Sequence, residues 1–202
     1  MMNDEWKAPN AAPPHSAFCI HHSAFRIFCY LKPFKALPDL LSLLNESRCP
    51  TLAYVDGLSD EVRRRHESPT LRLARGRQDL AAAARQCDLA VLNAGQGSTA
   101  AMLLAGVPLL LVPLVLEQSL TARAVERLGA GLRANPNDPA DVAAKLAAML
   151  GEQFHPRAAA ARAFADRYAS LDPNEQIERM ADRVEELLAA RKPRGRTPVF
   201  AG

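Results

Sequence analysis

The chain predicts an α/β fold in which one parallel sheet carries helices on both of its faces. Short apolar runs alternate along the sequence with stretches whose apolar residues recur at helical spacing. The runs are apolar at nearly every position and not at every second one, as strands covered on both faces must be. A length of 202 residues, 49% hydrophobic and 23% charged, suffices for one globular core.

Residues 27–31 read as the first strand, ended by Lys32-Pro33. Residues 34–44 follow as a helix, with Leu37, Leu40, Leu41 and Leu44 on one face and Pro38 suited to the first turn. Residues 51–55 form a second strand, stopped by Asp56-Gly57, and Ser59 caps a helix that runs through His66. Residues 70–73 are a third strand and 78–86 a helix; 87–92 are a fourth strand that runs into a glycine turn. A helix at 98–105, a fifth strand at 109–112 and a helix at 119–128 come next. Gly129-Ala130-Gly131 turns into a short sixth strand at 132–133, and helices at 138–150, 156–169 and 174–190 complete the series. Residues 89–116 carry no charge, yet Gly95, Gly97, Gly106, Pro108 and Pro113 interrupt them. A strand, a turn, a helix and a strand fit that stretch better than a transmembrane segment.

The ends differ from the middle. Residues 1–25 open with Pro9, Pro13 and Pro14, and residues 15–21 are nearly repeated by 22–28. They read as a disordered or spurious extension, before a domain at 26–190 and a basic flexible tail at 191–202. His15, His21 and His22 lack a companion carboxylate or cysteine pattern, so no metal is expected there. A net charge of +3, partly from Arg191, Lys192, Arg194 and Arg196 in the tail, excludes a nucleic-acid partner. Cys19, Cys29, Cys49 and Cys87 have no metal-ligand spacing, and reduced thiols place the chain in the cytoplasm, free or peripheral to a membrane. His66 and His155 have no serine or cysteine partner in a motif, so no catalytic triad can be drawn.

The stretch at 93–118 carries the chemistry. Gly95-Gln96-Gly97-Ser98-Thr99 follows a buried strand and opens a helix, where bare amides and the helix dipole favour an anion. It is neither a Walker loop nor a GxGxxG motif, and a glycine turn also serves purely steric ends. Ser98 and Thr99 are placed to cap the helix and bond an oxyanion, which favours phosphate. Lys32, ending the first strand, offers a cation to a diphosphate or is simply exposed. Glu117-Gln118 returns to the same sheet edge, either to read sugar hydroxyls or as a solvated helix start.

Together these residues resemble the C-terminal, donor-binding domain of GT-B glycosyltransferases, in particular the bacterial and plant-type UDP-glycosyltransferases. The pattern is met by Gly95, Gly97, Ser98, Thr99, Gly106-Val107-Pro108, Pro113, Glu117-Gln118 and Gly129-Ala130-Gly131, with unbroken spacing. The resemblance implies a single Rossmann-like lobe that binds a nucleotide sugar, a UDP-sugar in the first instance, without a metal or other cofactor. It implies a diphosphate site at Asn93, Gly95, Gln96, Gly97, Ser98, Thr99 and Lys32, a sugar site at Glu117 and Gln118, and a base site at Gln78 and Arg75. Asn93 stands where the family has histidine, Ala101 where it has a ribose-reading glutamate, and Arg75 where it has a base-stacking tryptophan. The catalytic base is expected on a second, acceptor-binding lobe. The chain is accordingly expected to be a fragment, one subunit of a split transferase, or a non-catalytic nucleotide-sugar binder, with an epimerase of similar fold more remote.

Overall fold

The computed structural model describes residues 25–190, which divide into a unit ending at Tyr168 and a second unit beginning at Ala169. The extension through residue 24, with Cys19, His15, His21 and His22, and the tail at 191–202 lie outside the described residues.

Six strands form one sheet: β1 (Ile27–Leu31), β2 (Thr51–Val55), β3 (Leu71–Ala74), β4 (Leu89–Leu92), β5 (Leu109–Leu111) and β6 (Gly131–Arg133). All neighbours pair in parallel, in the order β3-β2-β1-β4-β5-β6. This is the doubly wound order, and the chain reverses direction across the sheet between β1 and β4. Crossover helices return the chain for each parallel strand: α1 (Leu37–Ser47), α2 (Asp60–His66), α3 (Leu80–Ala84), α4 (Gln96–Leu104) and α5 (Leu116–Leu128). After β6 come α6 (Pro139–Met149) and α7 (Phe154–Arg167).

Alternation along β1 divides the core. Ile27, Cys29 and Leu31 face a layer with Leu40, Leu41 and Leu44 of α1 and Val142 and Leu146 of α6, while Phe28 faces Met102 of α4, Val125 of α5 and Ala161 of α7. Gly131 permits β6 to close against β5, since a Cβ there would lie 2.5 Å from the Leu109 carbonyl oxygen. Phe25, which the sequence assigns to the extension, is buried and meets Phe154 edge-on, with ring centroids 4.9 Å apart. The second unit holds α8 (Pro173–Ala189), with Ile177, Met180, Val184 and Leu187 along one side. Among the described residues no helix is long and apolar enough to cross a membrane.

Four helices, α4, α5, α7 and α8, begin earlier than the sequence predicts, and the starts of α4 and α5 belong to the site. The α4 helix opens at Gln96 with Gly95 as its N-cap, so Ser98 and Thr99 lie inside the first turn and do not cap it. The α5 helix opens at Leu116, which puts Glu117 and Gln118 in its first turn.

Candidate functional site

Ligands of doubly wound sheets bind beyond the carboxyl ends of the strands, at the point where the strand order reverses. Here that point lies between Leu31 and Leu92, and Asn93 stitches it shut. The Lys32 backbone N–H donates to Asn93 Oδ1 at 2.5 Å, and Asn93 Nδ2 donates to the Val112 carbonyl at 2.9 Å. One side chain, 7% exposed, thus ties the ends of β1, β4 and β5 together. Sequence reasoning placed Asn93 against the diphosphate; in the structure its oxygen and one N–H are bonded to the backbone. The Lys32 side chain is exposed beside it.

Ala94 turns the chain from β4 into α4 with φ at +62° while fully buried. That left-handed conformation costs a non-glycine residue about 1–2 kcal/mol and suits a short turn with a small side chain. No side chain caps α4. The Ser98 hydroxyl donates to the Gly95 carbonyl at 3.1 Å, and the Thr99 amide donates to the same carbonyl at 3.0 Å. Gln96 and Gly97 are exposed, and nothing lies within 4 Å of where a Gly97 Cβ would stand. Thr99 is 3% exposed, and its buried Oγ1 has no hydrogen-bond partner among the described residues. Half-buried Ala101 offers no polar group where the resemblance expects a glutamate.

One strand over, Glu117 is exposed in the first turn of α5. Gln118 turns back, and its Oε1 accepts from the Leu114 N–H at 2.7 Å, which fixes the loop after β5 and leaves the amide N–H groups as its free donors. Leu114 and Ser119, which bracket this pair in sequence, line an open cavity of about 710 Å³ over the ends of β5 and β6.

At the other side of the reversal point, β3 ends in the loop that carries Arg75 and Gln78. Gln78 Nε2 donates to the Gly76 carbonyl at 2.8 Å, so it braces its own loop. Arg75 reaches toward α2, where its Nη1 lies 3.1 Å from Asp60 Oδ1. Tyr54 stands at the end of β2 with its hydroxyl donating to Asp56 at 3.2 Å; burial, and then the Asp56 carboxylate, raise its pKa above the ordinary phenol value. Sequence reasoning missed Asp60, Arg63 and Tyr54, since only the tertiary fold brings them to this edge. Among the described residues no group of His, Cys, Asp and Glu side chains is arranged to hold a metal ion.

A family model described as the erythromycin biosynthesis protein CIII-like C-terminal domain matches residues 66–184. The chain belongs to that family. An uncharacterised glycosyltransferase of Mycobacterium leprae is 36% identical over 112 residues, covering 54% of this chain and 25% of that protein. The spinosyn rhamnosyltransferase SpnG superposes with a TM-score of 0.66 at 19% identity, over 88% of this chain and 50% of its own. The Streptomyces sp. SF2575 glycosyltransferase SsfS6, complexed with thymidine diphosphate, gives 0.60 at 23% identity, over 90% of this chain and 45% of its own. The erythromycin CIII-like domain described here therefore has the Rossmann-like fold of the C-terminal lobe of GT-B glycosyltransferases. It spans about half the length of these solved transferases and a quarter of the curated relative.

Proposed function

We propose that this chain is the donor-binding half of a glycosyltransferase and holds a pyrimidine nucleoside-diphosphate sugar, a UDP-sugar in the first instance. The observation that carries the reading is the uncapped N-terminus of α4 at the reversal point, with the unpartnered Thr99 hydroxyl in its first turn. Family membership supports it, and so does the thymidine diphosphate bound to SsfS6.

The layout suits an extended ligand. Strand spacing of about 4.8 Å puts the end of β3 roughly 14 Å from the end of β4, and β5 one spacing further. The base lies against Arg75 and Gln78, the diphosphate against the first-turn amides of α4 with Ser98, Thr99 and Lys32, and the sugar against Glu117 and Gln118. Glycosyl transfer leaves negative charge on the departing diphosphate, which the amides and dipole of α4 stabilise without a metal ion. The acceptor hydroxyl and the base that deprotonates it are supplied by an acceptor-binding lobe, on the remainder of a longer chain or on a separate subunit. The buried thiols of Cys29, Cys49 and Cys87 suit the cytoplasm.

Calorimetric titration with UDP, TDP and their glucose conjugates, with and without EDTA, tests the binding step. The expected result is EDTA-insensitive binding of at least one diphosphate. No binding to any of them by a folded sample would leave the glycine turn a structural device. The alternative is a nucleotide-sugar binder without catalysis. Addition of an acceptor lobe separates the two: the transferase reading expects sugar transfer, and the isolated chain at most slow donor hydrolysis.

A further inference from the structure

We infer that Arg63 and Asp60 form a bracket that positions Arg75 to stack on the nucleotide base, an assignment that rests on the base site proposed above. Arg63 is 6% exposed on α2, and a buried guanidinium is tolerated only where it is bonded. Its Nη1 donates to the carbonyls of Leu73 and Ala74, at 3.2 Å for the latter. These are the last residues of β3, so Arg63 fixes the strand end from which Arg75 departs. Its Nε has no hydrogen-bond partner among the described residues and lies 3.8 Å from Asp60 Oδ1.

The same carboxylate oxygen accepts from Arg75 Nη1 at 3.1 Å. Asp60 thus stands between a buried guanidinium anchored on the strand and an exposed one in the loop. It occupies the first turn of α2, where Ser59 caps the helix by accepting from the Val62 amide and the dipole favours a carboxylate. The carboxylate engages the edge of the Arg75 guanidinium, whereas a base stacks on its face. Edge and face are used independently, and the Arg75 side chain is 76% exposed. The bracket restrains a long side chain before the ligand arrives and so reduces the ordering that binding must impose.

Calorimetry on the full chain with UDP and, separately, inorganic pyrophosphate tests this. Asp60→Asn should weaken UDP binding on the order of fivefold, the scale set by restraining one long side chain, and leave pyrophosphate affinity unchanged. On an Arg75→Ala background Asp60→Asn should have no further effect, because the two changes remove one interaction. Equal losses for both ligands, or losses that add on the Arg75→Ala background, would overturn the bracket. A wild-type chain that binds pyrophosphate as tightly as UDP would overturn the base site itself, and the bracket with it.

Discussion

The two sides of the reversal point are built differently. On the side proposed for the diphosphate, buried groups lock onto the backbone: Asn93 bonds to Lys32 and Val112, and Ala94 holds a left-handed turn with no exposed surface. On the side proposed for the base, charged side chains meet in solvent between a short helix and a loop: Asp60 and Arg75 have side-chain exposures of 68% and 76%. Buried hydrogen bonds are expensive to break because the orphaned partner stays desolvated, while exposed ion pairs contribute little. Under the proposed assignment, the phosphate side would therefore couple binding to stability, and the base side would be free to vary.

Asn93→Ala tests the first half of that contrast and should have the largest effect. It orphans the buried Val112 carbonyl and the Lys32 amide, at about 2–3 kcal/mol in all. Urea unfolding should show the loss as a lower midpoint. An unchanged midpoint would mean that the stitch carries no load and that both sides are equally plastic.

Glu117→Ala should act on binding alone. The residue is exposed in the first turn of α5, so its removal should shift stability by no more than about 0.5 kcal/mol. If the carboxylate accepts from sugar hydroxyls, the nucleotide sugar should bind about 1–3 kcal/mol more weakly, and the free nucleoside diphosphate as before. Equal losses for the two ligands would remove Glu117 from the sugar site and align it with the diphosphate.

The same contrast explains what the sequence made legible. The strands were readable because residues such as Leu89, Ala90, Val91 and Leu92 are buried on both faces and carry no charge to confuse the pattern. A parallel sheet followed from the alternation of strands and helices, and with it the place of the glycine turn beyond a strand's carboxyl end. At the site two helix starts were misread, each with glycine or charge in its first turn: Gln96 opens α4 and Leu116 opens α5, the latter held by the return of Gln118 to the Leu114 amide. The bonds of Asn93 join residues 19 and 61 positions away, which no local pattern reveals. Arg63 and His66 sit in a run of charged residues that reads as a solvated face, yet both are buried. The resemblance supplied residue types at the site; only the fold shows which of them are already occupied.

His66 gives the smallest effect and tests whether the base side is plastic throughout. Its ring is buried at the end of α2, while its carbonyl accepts from Asn45 Nδ2 at 2.6 Å. Burial, and then the charge of Arg65, lower its pKa below the ordinary value of 6.5. The unfolded chain consequently takes up a proton at this ring before the folded one does, and stability rises with pH across the window between the two values. The contribution is fully present above pH 6.5 and is lost as the pH falls through 6.5 toward the lowered value. His66→Gln should remove that part of the pH dependence. Urea midpoints of the wild type should fall further between pH 7.5 and pH 5.5 than those of the variant. Parallel curves would place the ring in water in solution and make the loop-facing side of α2 as open as its exposed arginines.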